Sequence, residues 1–197
     1  MGEKMRTGIA LAAGVALSCI ASLTLAADKP IKESAQTTLD LYVNAAEAWQ
    51  MLQQDPTAVL IDVRDPVEVK FTGFAKPTKI HVPWMVADIS SWSDKKSSWT
   101  MKKNPDFEKQ LMTRFEQLGI SKTTPVIVMC RSGSTRSAPV VNLLAQKGFT
   151  QAWTVVDGFE GSTLKEGHSK GVRAVNGWRN SDLPWSYKID PAVAWKP

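Results

Sequence analysis

The chain has 197 residues, 43% hydrophobic and 22% charged, with a formal net charge of +5 at neutral pH. These are the proportions of a globular domain long enough for one good core. The basic excess forms no Lys/Arg block and comes with no zinc-finger spacing. That argues against nucleic-acid partners and leaves only a slight preference for anionic substrates.

The first stretch stands apart from the rest. A positive start, MGEKMR, leads into the largely apolar run Thr7–Leu25, and Leu25-Ala26-Ala27 ends in small residues. Residues 1–26 therefore read as a secretory signal peptide, which makes the protein periplasmic or secreted. The run has only a marginal membrane-span length and is interrupted by Ser18 and Cys19, so no span is expected in the mature chain. Of the two cysteines, Cys19 leaves with the leader and Cys130 stays. A lone cysteine in an exported chain makes no internal disulfide, which leaves a buried spectator, an intermolecular pairing site or a reactive thiol.

Residues 27–38 read as an extended lead-in that continues to Leu41. Asn44-Ala-Ala-Glu47 has the form of a capping box, and Ala45, Ala48, Trp49 and Leu52 give the following helix one apolar side. The run AVLIDV, Ala58–Val63, is apolar enough for a strand inside a parallel sheet, and it ends in Asp62 and Arg64. Pro66–Phe71 predicts one or two helical turns stopped by Gly73, and Ile80–Pro83 a short strand closed by proline. Residues 87–122 begin as a Trp-, Ser- and Lys-rich loop, after which Pro105 opens a helix through Phe107, Leu111, Phe115 and Leu118. Val126–Met129 is the next strand, Arg136–Lys147 a helix and Ala152–Val156 a last strand ending at Asp157-Gly158. The tail, with Trp178, Trp185 and Trp195, is too aromatic for disorder and is expected to fold over the body. Alternating strand and helix patterns define a single α/β domain with a parallel sheet. Neither G-x-G-x-x-G nor G-x-x-x-x-G-K-[ST] occurs, so nucleotide cofactors find no support.

The chemistry gathers at VIVMCRSGSTRS, Val126–Ser137. A buried strand delivers Cys130 to a polar loop of Arg131, Ser132, Gly133, Ser134 and Thr135, and Arg136 starts a helix. Loop and first-turn amides without intrahelical acceptors can converge on an anion, and a thiol held among them becomes more acidic. Arg136 offers planar donors to an oxyanion, and Arg131 either does the same or faces water. Ser134 and Thr135 either donate hydroxyls or cap the helix. Asp62 and Arg64 read either as an ion pair that fixes the loop or as a charge presented near the thiol, with Glu68 either in that network or in solvent. His81 and His168 have no partners at ligand or triad spacing, so His81 is expected to be packed or exposed rather than a base, and no metal is expected.

Four stretches together resemble the rhodanese family of sulfurtransferases: LIDVRDPVEV, CRSGSTRSA, VVNLLAQKGFTQAWTVVDGFEG and NGWRNSDLPW. The resemblance covers residues 39–186 and leaves 187–197 as a C-terminal tail. It implies a small α/β domain around a five-stranded parallel sheet with helices on both faces, and no cofactor. It further implies that Cys130 carries a persulfide, that Arg131–Thr135 form the amide cradle, and that Asp62 and Arg64 are framework charges beneath it. The implied partners are a small anionic donor such as thiosulfate and a cyanide or thiol acceptor, which in an exported chain includes a periplasmic protein. One departure is that Arg136 lies six positions after the cysteine, where rhodanese loops commonly place the arginine at five. That C-x5-R spacing is shared with dual-specificity phosphatases and arsenate reductases, so an oxyanion enzyme is the alternative. A non-enzymatic sulfur-carrier or anion-docking module is a third reading.

Overall fold

The structure is a computed structural model and describes residues 26–197. The expected leader lies outside these residues except for Ala26. Chain order begins with a two-residue strand β1 (Tyr42–Val43) and helix α1 (Ala45–Gln54). The capping box forms as the sequence predicts, with Glu47 N donating to Asn44 Oδ1 at 2.9 Å and Asn44 N to Glu47 Oε2 at 2.8 Å. Strand β2 (Val59–Asp62) is buried along its whole length. Helix α2 (Pro66–Thr72) opens on a second box, Asp65 and Glu68, and stops at Gly73, whose φ of 97° favours glycine. Then come β3 (Phe74–Ala75), β4 (Thr78–His81), β5 (Met85–Ser93), β6 (Ser98–Lys103) and α3 (Phe107–Gln117). The chain continues through β7 (Val126–Met129), α4 (Ser137–Gln146), β8 (Ala152–Val155) and β9 (Trp185–Ser186).

Five strands form the central sheet in the order β1-β8-β7-β2-β4, and every neighbouring pair is parallel. Strand alternation sorts the core into two layers. Val59, Ile61, Val126 and Val128 face α3 and α4, packing with Phe107, Leu111, Val140 and Leu144. Leu60, Ile127 and Met129 face the other way, toward Ala45 and Ala48 of α1 and toward Trp178. Helices therefore cover both faces of an α/β sheet, which explains why its central strands are apolar without alternation. In register, Asp62 lies beside Met129 on one side and His81 on the other, so three strand ends meet at one edge of the sheet.

Two segments depart from the sequence reading. The stretch expected as a loop over the domain from residue 87 is an antiparallel hairpin of β5 and β6, with Trp92 opposite Trp99. The lead-in is not fully extended, because Glu33–Ala35 makes a 3-10 turn before β1. The tail does fold over the body. Trp178 is fully buried and donates from Nε1 to Pro184 O at 3.0 Å, while Trp195 donates to Gln110 Oε1 at 3.0 Å.

Candidate active site

Strand β7 delivers Cys130 to the sheet's C-terminal edge, and the chain turns through Arg131–Thr135 before α4 begins. Gly133 makes the turn possible. Its φ is +73°, and a Cβ there would lie 1.9 Å from Val156 O. The segment after β8 frames the loop from behind: Phe159 N donates to Cys130 O at 2.8 Å and Glu160 N to Arg131 O at 2.9 Å. Gly158 comes so close that a Cβ would lie 2.5 Å from Cys130 O. Asp157-Gly158 is thus more than the turn after a strand. It is the loop's rear support.

The thiol is 1% exposed, with Sγ 3.4 Å from Ser137 Oγ at the first residue of α4. Burial pushes the Cys130 thiol up. The Arg136 guanidinium, the Ser137 hydroxyl and hydrogen bonds from the Ser132 and Ser137 amides outweigh it, holding the thiol below its ordinary value.

Arg136 is buried, and its fork is filled by Glu68: Nη2 donates to Oε1 at 2.8 Å and Nη1 to Oε2. Glu68 Oε2 also accepts from Asp65 N at 3.0 Å, so one carboxylate caps α2 and positions the arginine. Burial alone would raise the Glu68 carboxyl, but Arg136 beside it and the Asp65 amide bring it below the ordinary range. Arg131 points elsewhere. Its side chain is 44% exposed and pairs through Nε with Glu160 Oε2 at 2.6 Å. Ser132 and Ser134 are half-buried and Thr135 is exposed. Neither Ser134 nor Thr135 caps α4, because Arg136 itself occupies the N-cap position and makes no side-chain cap bond.

Asp62 and Arg64 form a fully buried ion pair, Nη2 to Oδ2 at 2.6 Å. The arginine also donates to Thr72 Oγ1 at 2.8 Å and Gly73 O at 2.9 Å, and stacks 3.9 Å from the Phe159 ring centroid. It ties β2 to the end of α2 and to the segment behind the cysteine loop. Burial would raise the Asp62 carboxyl, and Arg64 with a smaller contribution from His81 holds it below the ordinary range instead. His81 is buried, its Nε2 2.9 Å from Arg64 O, and is a packed residue.

A cleft of about 460 Å³ lies beside the loop, lined on one side by Glu68, Arg131, Thr135 and Arg136, while Cys130 itself is buried behind this lining. Most of its remaining lining comes from the β5–β6 hairpin, including Lys96, Trp99 and Met101. The sequence reading missed Ser137 against the sulfur and Glu68 in the Arg136 fork, and it took the Trp92–Trp99 insert, either a shaper of the mouth or buried core, for a loop rather than a hairpin. Only the first had a local signal, since Ser137 directly follows Arg136 at a helix start.

A parallel sheet flanked by helices, with a cysteine in a loop at a helix N-terminus, defines a single α/β domain of the kind the sequence predicts. The chain belongs to the rhodanese-like domain family, whose model matches residues 44–165. The crystal structure of Rv0390 from M. tuberculosis is similar, with 31% identity and a TM-score of 0.57 over 75% of this chain and 97% of that one. The uncharacterized protein RP600 of Rickettsia prowazekii (strain Madrid E) is 25% identical over 143 residues, 73% of this chain and 94% of its own length. A chloroplastic protein of Oryza sativa subsp. indica, THYLAKOID RHODANESE-LIKE, is 30% identical over 149 residues. That match takes in 73% of this chain and 25% of the rice protein.

Proposed function

We propose that the protein is a sulfurtransferase that carries sulfane sulfur as a persulfide on Cys130. The observation that carries this reading is the placement of Cys130 in the loop before α4, with Sγ 3.4 Å from Ser137 Oγ, where Arg136, Ser137 and nearby amides favour its thiolate. In the first half-reaction the Cys130 thiolate attacks the outer sulfur of thiosulfate or a similar donor. The new S–S bond forms as the old one breaks, and sulfite leaves with the electron pair. Loop amides hold the donor's sulfonate and the charge that develops on it. Sulfite needs no proton to depart, so no general acid is required. In the second half-reaction cyanide or a thiol takes the outer sulfur, and the electron pair returns to Cys130 as thiolate. The leader expected at residues 1–26 puts this chemistry in a periplasm or outside the cell.

The phosphatase or arsenate reductase alternative has less support. An arginine that grips a tetrahedral oxyanion offers it several N–H groups, and Glu68 already takes one from each terminal nitrogen of Arg136. The test is thiocyanate formation from thiosulfate and cyanide by the mature protein and its Cys130→Ser variant. Turnover by the first and none by the second is expected. Equal rates from both would remove Cys130 from the chemistry.

A further inference from the structure

The β5–β6 hairpin is the part of this site that the loop chemistry does not explain. It extends from the sheet at Trp84 and returns at Asn104, with Asn104 N donating to Trp84 O at 3.0 Å. Its most extensive contacts are within itself. A two-stranded ribbon of this kind gains little stability from its own pairing, and this one leaves Trp92 and Trp99 more than half exposed. One anchor sets its position: Ala87 N donates to Asp65 Oδ2 at 2.5 Å, at the start of the helix that carries Glu68. The ribbon is thereby held beside the cysteine loop, where it supplies six of the ten residues lining the cleft.

The cleft's lining favours an occupant with an apolar body and a negative charge. At about 460 Å³ it falls in the range of sites for organic ligands and is far larger than a thiosulfate-sized ion requires. Trp99, Met85 and Met101 give the wall an apolar, polarizable surface. Three cations line it against the single carboxylate of Glu68. Arg131 and Arg136 are each paired with a glutamate, while Lys96 is exposed and enters no ion pair among the described residues. Lys96 is the cation left for a ligand.

We propose that this hairpin wall is the binding subsite for the sulfur acceptor, a thiol on an organic body that carries a carboxylate. The carboxylate meets Lys96 and the body lies along Trp99 and the two methionines. The thiolate then attacks the outer sulfur of the Cys130 persulfide, its new S–S bond forming as the bond to Cys130 breaks and Sγ leaves as thiolate. The proposal rests on the sulfurtransferase reading for its chemistry, although not for the binding itself.

The experiment has two arms. In the first, sulfur-loaded protein is mixed with N-acetylcysteine, its neutral amide or cyanide, and loss of the bound sulfur is followed by rapid-quench mass spectrometry. The rate ratio of N-acetylcysteine to its amide is expected to fall about two- to fivefold in Lys96→Ala, the worth of one exposed ion pair. The ratio of either thiol to cyanide should fall in Trp99→Ala. In the second arm, S-methyl-N-acetylcysteine is titrated into ¹⁵N-labelled, unloaded protein. Amide shifts at residues 96–101 are expected in the wild type and diminished in Lys96→Ala. Unchanged ratios, or shifts confined to other surfaces, would overturn the proposal. If no sulfur loads, the sulfurtransferase reading fails while the titration still decides whether the subsite exists.

Discussion

Arg136 and Glu68, 68 residues apart in the chain, form a two-pronged pair at the mouth of the cysteine loop, with Nη2 2.8 Å from Oε1. The arginine is thus shared between a carboxylate that neutralises it and a thiol that depends on its charge. Removing the carboxylate's charge leaves more of the arginine's field at the sulfur. Glu68→Gln is therefore expected to shift the pH profile of Cys130 alkylation by iodoacetamide toward lower pH. It is also expected to bind arsenate more tightly than the wild type. A profile moved upward, or left in place, would show that Arg136 does not set the thiol's acidity.

The Asp62–Arg64 pair gives a prediction on stability. Arg64→Met leaves a carboxylate buried without its cation, and unfolding in urea at neutral pH should show a loss of about 3–5 kcal/mol. The pH dependence should also change sign. In the wild type, Arg64 holds Asp62 below its unfolded value, so its stabilisation is complete above that value and is lost as pH falls through the folded one. Without Arg64, burial dominates and raises the folded value. The variant should then gain stability relative to the wild type as pH falls. A loss under about 1 kcal/mol would mean the pair is solvated rather than buried.

Gly133→Ala tests the loop's geometry. The substitution puts a Cβ into a backbone with φ +73° and 1.9 Å from Val156 O. A loss of about 3 kcal/mol or more in urea is expected, together with an alkylation profile shifted to higher pH as the amides leave the sulfur. Gly148 is the control, because it too has positive φ but nothing within 4 Å of its Cβ. Gly148→Ala should cost only about 1–2 kcal/mol and leave the thiol's profile unchanged.

Asp65 links the first turn of α2 to the hairpin, accepting from Val67 N at 2.7 Å and Ala87 N at 2.5 Å. Asp65→Ala removes a helix cap worth about 1 kcal/mol and releases the base of the ribbon. Hydrogen exchange should quicken at Ala87 and along β5 and β6, with no comparable change in β7. Uniform quickening across the central sheet would show instead that Asp65 supports the whole fold.

Much of the sheet was readable because burial on both faces leaves its strands nearly continuous in apolar residues, as in Val59–Ile61 and Val126–Met129. Helix starts were readable at Asn44 for the same local reason, since a cap and its partner lie three residues apart. The hairpin was not. Its residues are exposed or half-buried with none fully buried, because it packs chiefly on itself, so Trp92 and Trp99 looked like a loop over the body. Strand β1, only Tyr42–Val43, is too short to leave a pattern. At the site, Cys130 and its loop stood out through composition within seven residues. The Glu68–Arg136 and Arg131–Glu160 pairs join distant segments, and no spacing rule announces them.

The most direct measurement is the intact mass of the mature, reduced protein after incubation with thiosulfate, alongside Cys130→Ser. A gain of one sulfur atom that cyanide or a thiol removes is expected, with no gain in the variant. No gain in a protein whose thiol still reacts with iodoacetamide would contradict thiosulfate as donor, and a gain that persists in the variant would contradict Cys130 as the carrier.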